Sequence, residues 1–172
     1  MVRLDSSYFD QIYELMEEAF PISERRTYAA QKALFKRDDY MVYGILEHDH
    51  VLAFIAVYET DHLRFVEHLA TNADCRGSGI GRHLLEAYLQ QNDKTVILEV
   101  EHPNHALAKR RIQFYKRIGF SLYEIDYVQP PFHSFEQPLP LYLMSWPKQL
   151  NDEQLQRCIY EMYHDVYHWS RI

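Results

Sequence analysis

Five stretches of the chain carry apolar residues at helical spacing, and shorter runs rich in β-branched and aromatic residues lie between them. Phe9, Ile12, Tyr13, Met16 and Phe20 fall on one face of a helix. Ser6 or Ser7 can cap its start, and Pro21 ends it. A second helical stretch is expected over residues 25–35. Residues 40–46 and 51–58 then read as strands joined by the polar turn Glu47-His48-Asp49-His50, and Leu63–Thr71 reads as a third. An antiparallel meander is expected here.

Leu84, Leu85, Tyr88 and Leu89 define one face of a further helix. Thr95–Glu101 is a mostly apolar, β-branched run, as a central strand requires. Pro103 breaks the chain, and Ala106–Ile118 reads as a helix with Gly119 at its C-cap. Residues 120–128 and Leu139–Trp146 read as two more strands, separated by the Pro-rich segment 129–138. A last helix is expected from Asn151 or Asp152 to about residue 169, with Leu155, Ile159, Met162 and Val166 on its apolar stripe. This order predicts a mixed sheet with helices packed on it. No internal repeat or linker is evident, so one domain over residues 1–172 is expected, with a core of about 1–146 and a helical extension of about 151–170.

Composition narrows the function classes. With 172 residues, 47% hydrophobic and 25% charged, the chain can bury a sizeable core. No apolar run is long enough to span a bilayer, and Met1-Val2-Arg3-Leu4-Asp5 does not read as a signal peptide. Two cysteines far apart, Cys75 and Cys158, make no disulfide framework, so a cytoplasmic setting is expected. A formal charge of −7 argues against nucleic acid as the main ligand and suits a cationic or amine substrate. The 14 tyrosines are read as core packing, a substrate cleft or a dimer face, leaving a monomer or a homodimer. His164 and His168 lie four apart but lack an acidic third ligand, so no metal is expected.

The candidate chemistry centres on Arg76-Gly77-Ser78-Gly79-Ile80-Gly81, at a strand-to-helix junction. Three glycines and a serine leave backbone N–H groups free to meet an anion, and the helix that starts there adds its positive end. The glycines do not follow G-x-G-x-x-G, and no P-loop lysine follows them, which excludes the dinucleotide and P-loop patterns.

The segment resembles the GNAT (Gcn5-related) N-acetyltransferases, whose signature Q/R-x-x-G-x-G/A it matches in full. Leu69-Ala70-Thr71 resembles the end of that family's fourth strand. Leu84-Leu85 resembles the aliphatic pair of its coenzyme helix. Asn104 and Arg111-Ile112-Gln113-Phe114-Tyr115-Lys116-Arg117-Ile118-Gly119-Phe120 resemble its second coenzyme motif. The resemblance runs over about residues 1–146 and is specific over 63–120. It implies an α+β fold: a mixed, mostly antiparallel sheet of about seven strands, splayed at its centre and flanked by helices, with an extra C-terminal helix. It also implies acetyl-CoA as co-substrate, its diphosphate on the N–H groups of Arg76, Gly77, Ser78, Gly79, Ile80, Gly81 and Arg82. Leu69, Ala70 and Thr71 would lie along the pantetheine and polarise the thioester, a term of about 3–4 kcal/mol in other acyl transfers. Asn104 would bond the pantetheine arm.

Direct attack by an amine poses two proton problems. An alkylammonium, with a pKa of about 10, must lose a proton, and the departing thiolate, of thiol pKa about 8.5, gains from a donor. By the resemblance Tyr115 is the candidate general acid, the alternative being a tyrosine that only packs on the coenzyme. Glu67, four residues before Thr71, is the candidate general base through water, the alternative being a solvated or salt-bridged strand residue. His68 points to the opposite face if the strand is regular, unless a bulge reverses it, and Glu101 is a third candidate. Cys75 reads as a bystander thiol, and Arg25 or Arg26 as a contact for a substrate carboxylate or as a surface ion pair. The chain therefore reads as an acetyl-CoA-dependent N-acetyltransferase acting on a primary amine, with a small-molecule acceptor expected between the first two helices, Glu67 and segment 129–138. The alternatives are a protein or peptide N-acetyltransferase and a non-catalytic acyl-CoA-binding module.

Overall fold

A computed structural model describes residues 1–169. Contacts group them into two units: residues 1–59 with 66–93, and residues 60–65 with those from Lys94 onward. Among the described residues there are seven strands and five α-helices, alternating much as the hydrophobic pattern predicts.

The first unit holds β1 (Val2–Leu4), α1 (Phe9–Ala19), α2 (Tyr28–Ala33), β2 (Tyr40–Glu47), β3 (His50–Glu59), most of β4 (Leu63–Thr71) and α3 (Ile80–Leu89). β1 pairs antiparallel with β2, and β2 with β3, in the order β1-β2-β3-β4. Ala53, Phe54, Ile55, Ala56, Val57 and Tyr58 are each fully buried, so β3 is covered on both faces. The alternation of β2 shows by what. Tyr40 meets Phe35 beyond α2, with ring centroids 5.9 Å apart, while Tyr43, on the other face, meets Tyr88 of α3 at 5.8 Å. Phe9 of α1 packs edge-on against Phe35 and Tyr28, which puts α1 and α2 together on the Tyr40 face.

Two boundaries depart from the expected pattern. The second helix begins at Tyr28 rather than at 25, because Thr27 caps it through a bond from the Ala30 N–H, and Ile22–Glu24 forms a separate 3-10 turn. β1 has only three residues, too few for an alternating pattern, and its register is set by pairing with Val42, Tyr43 and Gly44.

The second unit holds β5 (Thr95–Glu101), α4 (Ala106–Ile118), β6 (Ser121–Gln129), β7 (Leu139–Trp146) and α5 (Asp152–Glu161). Its strands run antiparallel in the order β5-β7-β6. Val96, Leu98 and Val100 point to one face of β5, Glu99 and Glu101 to the other. Gly119, at φ +106, ends α4 in a left-handed cap. α5 opens with a capping box between Asn151 and Gln154, then widens into a π-turn over Met162–Val166 instead of continuing to 169. Residue 170 of the expected extension, with 171 and 172, lies outside the described residues. No helix among the described residues is long and apolar enough to cross a membrane.

Candidate active site

The segment from β4 to α3 is built to leave donors free. Asn72 starts a 3-10 turn, Ala73–Cys75, by accepting a bond from the Asp74 N–H at 3.0 Å. Ser78 closes it, its N–H and hydroxyl both donating to the Cys75 carbonyl, at 3.2 and 2.6 Å. Gly77 and Gly79 then take φ values of +83 and +86, the left-handed region where a side chain is strained. A Cβ at either would meet nothing within 4 Å, so bare backbone borders open space. Gly81 serves a different need: a Cβ there would come within 2.8 Å of Thr71 Oγ1, so its absence lets the first turn of α3 sit on the end of β4.

Among the described residues, the N–H groups of Gly77, Gly79, Gly81 and Arg82 donate to no protein acceptor, and that of Ile80 only reaches Ser78 Oγ at 3.4 Å. Unpaired N–H groups gathered at a helix N-terminus form an anion-binding cradle. The exposed Arg76 side chain makes no bond among the described residues, whereas Arg82 is paired along the helix with Glu86 at 2.8 Å. Leu69 and Thr71 are half-buried and Ala70 is buried. Cys75 is half-buried, with a free thiol.

Four residues before Thr71, Glu67 sits in a closed polar cluster. Its side chain is 2% exposed, and Arg26 Nη1 lies 2.6 Å from its Oε1. Burial alone would raise the carboxyl's pKa, but the Arg26 guanidinium and the His68 ring outweigh it and hold it at about 2. His68 is equally buried, with Nε2 2.7 Å from the Glu24 carbonyl and Nδ1 3.4 Å from Glu67 Oε2. The two adjacent side chains thus both reach the segment Glu24–Arg26. The surface ion pair expected of Arg26 is a buried one. Arg25 instead bonds Glu17 at 3.0 Å and the Tyr13 hydroxyl at 3.2 Å.

In the second unit Tyr115 lies on the buried face of α4, packed edge-on against Phe114 and Phe120. Its hydroxyl makes no hydrogen bond among the described residues. Burial pushes its pKa up to about 12, with Arg111 opposing, so the phenol keeps its proton near neutral pH. Asn104 is exposed just before α4, its N–H bonded to the His102 carbonyl at 2.7 Å. Glu101 is occupied by Arg111 at 2.8 Å and faces His105 at 3.5 Å.

A second carboxylate escaped the sequence reading. Glu99 accepts the Tyr127 hydroxyl and, at 2.9 Å to each oxygen, the Tyr167 hydroxyl. Tyr163 stacks on Tyr127 at 5.5 Å, so the tyrosines of the C-terminal extension reach the sheet. The readable signal was the alternation Ile97-Leu98-Glu99-Val100-Glu101, which puts two carboxylates on one face. Of the helical histidines, His164 pairs with Asp165 at 2.7 Å, and no metal-holding group of three His, Cys, Asp or Glu occurs among the described residues.

Residues 9–120, well over half the chain, match the model of the acetyltransferase (GNAT) family. The chain belongs to the GNAT family. A GNAT-family protein of Bacteroides thetaiotaomicron, provisionally assigned as an acetyltransferase, is 31% identical and superposes with a TM-score of 0.89 over 98% of each chain. YjbC of Bacillus subtilis, also a provisionally assigned acetyltransferase, is 28% identical over 158 residues, 90% of this chain and 80% of its own. An aminoglycoside 6'-N-acetyltransferase complexed with coenzyme A shares the fold, with a TM-score of 0.63 at 14% identity over 87% of this chain and 100% of its own.

GNAT enzymes move an acyl group from acetyl-CoA, and this chain is an acetyltransferase of that kind. The GNAT match spans the glycine loop, Glu67 and Tyr115, while β6, β7 and α5 continue beyond it.

Proposed function

We propose that this GNAT enzyme transfers the acetyl group of acetyl-CoA to the primary amine of a small molecule, by direct attack within a ternary complex and as one domain over the whole chain. The observation that carries the donor half is the cradle: four N–H groups, of Gly77, Gly79, Gly81 and Arg82, without an acceptor among the described residues. They bind the coenzyme diphosphate with Ser78, Ile80 and the free Arg76 side chain beside them, and the open space at Gly77 and Gly79 gives phosphate oxygens room to approach. Leu69, Ala70 and Thr71 bond the pantetheine, and Asn104 its arm, each assigned from its place in the family's motifs.

Tyr115 gives its proton to the departing thiolate. A phenol whose pKa burial lifts to about 12 and whose hydroxyl is uncommitted is suited to this role. Glu67, on β4, is the candidate base that takes the ammonium's proton through water. The acidity of the chain, −7 overall, supports a cationic acceptor. No acyl-enzyme is needed.

The test is a panel of polyamines, amino acids, aminoglycosides and short peptides incubated with acetyl-CoA, with coenzyme A thiol release followed over time. Turnover with a small amine supports the proposal. Turnover with peptides alone moves the acceptor to a protein amine, and acetyl-CoA binding without any turnover leaves a binding module.

A further inference from the structure

Two helices of this chain carry charge of a single sign, placed where an isolated helix is least suited to it. The exposed positions of α1 include Asp10, Glu14, Glu17 and Glu18, and the helix holds no lysine or arginine. Those of α4 include Lys109, Arg110, Gln113, Lys116 and Arg117, and the helix holds no aspartate or glutamate. A solvated helix gains from opposite charges three or four positions apart. Asp10, Glu14 and Glu18 instead follow one another at four-residue spacing, so like charges are neighbours. Glu17 and Glu18 also stand in the last turn of α1, and Lys109 and Arg110 near the start of α4, each against the sign the helix dipole favours there.

Little within the chain offsets this. Glu17 bonds Arg25 at 3.0 Å, and Asp10 accepts the Tyr28 hydroxyl with Lys32 4.0 Å away. Among the described residues, the side chains of Glu14, Glu18, Lys109, Arg110, Lys116 and Arg117 make no ion pair or hydrogen bond, whereas Arg111 is turned to Glu101 at 2.8 Å. The two faces are mirror images in spacing. Each spans eight positions, 10 to 18 and 109 to 117, about 12 Å of helix. Laid antiparallel, Asp10 stands opposite Arg117, Glu14 opposite Gln113, Glu17 opposite Arg110 and Glu18 opposite Lys109. That alignment also directs Leu107, 58% exposed at the start of α4, toward Ile22, 52% exposed just after α1.

We propose that the basic face of α4 docks antiparallel on the acidic face of α1 of a second copy of this chain. Each charge that opposes its own helix dipole then gains an opposite charge across the contact, and the two dipoles run in opposite directions. Leu107 and Ile22 supply an apolar anchor at one end. The overall charge of −7 disfavours nucleic acid as the occupant of the basic face, whereas the chain itself presents the complementary acidic one. Exposed ion pairs contribute little singly, so the association is weak, reversible and sensitive to salt.

The experiment is sedimentation equilibrium of the full chain at low and high salt, with two charge-reversed variants whose folding is verified by circular dichroism. One carries Glu17→Lys with Glu18→Lys, the other Lys109→Glu with Arg110→Glu. At low salt the wild type should exceed the mass of one chain, and its association constant should fall by about tenfold or more between roughly 0.05 and 0.5 M NaCl. Each variant alone should associate at least about tenfold more weakly, because like charges then face each other across the contact. An equimolar mixture of the two should associate again, since the lysines of one meet the glutamates of the other. A wild type that stays a single chain at low salt overturns the inference. So does association that strengthens with salt, a variant that associates as the wild type does, or a mixture that stays dissociated.

Discussion

Arg26 Nη1 stands 2.6 Å from Glu67 Oε1, and both side chains are almost wholly buried. That contact ties the segment between α1 and α2 to β4, together with the Tyr13 hydroxyl, which donates to the Arg26 carbonyl at 3.1 Å, and His68 on the Glu24 carbonyl. Removing one member leaves the other charge buried and uncompensated. Arg26→Ala should destabilise the protein by about 3–5 kcal/mol, whereas replacing Arg26 and Glu67 together with Met and Leu should cost far less. Urea unfolding of the single and double variants checks this; equal losses in both would mean the pair is not coupled.

The same pair gives a pH dependence with a definite sign. Folding holds the Glu67 carboxyl at about 2, below the ~4.3 of an unfolded chain. Between those values the unfolded state binds more protons, so the contribution is full above about pH 4.3 and is lost as pH falls toward 2. It amounts to about 3 kcal/mol. Glu67→Gln should flatten this part of the acid limb, measured as unfolding free energy near neutrality and at about pH 3.

Tyr115 has an uncommitted hydroxyl and a pKa raised by burial to about 12. Tyr115→Phe keeps the ring contacts with Phe114 and Phe120. It should lower kcat by about 10²-fold or more while leaving acetyl-CoA affinity within about twofold. Equal losses in kcat and in affinity would reduce Tyr115 to a packing residue.

Gly81 offers a test of the junction itself. A Cβ there would lie 2.8 Å from Thr71 Oγ1. Gly81→Ala should cost about 1–3 kcal/mol from overpacking, and adding Thr71→Ala should recover most of it by removing the oxygen. Thermal unfolding of the two single variants and the double reads the coupling.

Much of the fold was legible because its periods are clean. The alternation of β2, the apolar run of β3 and the helical stripes of α1, α3 and α4 each agree with the faces the residues bury. What escaped depends on tertiary pairing: three residues of β1 become a strand only beside β2, and the π-turn at Met162–Val166 interrupts an apolar stripe that is itself unbroken. The glycine loop was legible because unusual backbone angles demand glycine at Gly77 and Gly79. The Arg26–Glu67–His68 cluster was not, because the sequence could not show that Arg26, 41 positions before Glu67, packs onto β4. Glu99 escaped for the same reason, since Tyr167, 68 residues on, is one of its donors.

The cradle at residues 76–82 is the centre of the account, and acetyl-CoA titration by calorimetry into wild type and Gly79→Asp tests it most directly. The variant puts a carboxylate against the phosphates at the bare backbone. With folding verified by circular dichroism, the wild type should bind at micromolar concentration or better and the variant should lose at least a hundredfold, about 2.7 kcal/mol. A folded Gly79→Asp protein that binds acetyl-CoA as the wild type does would contradict the assignment.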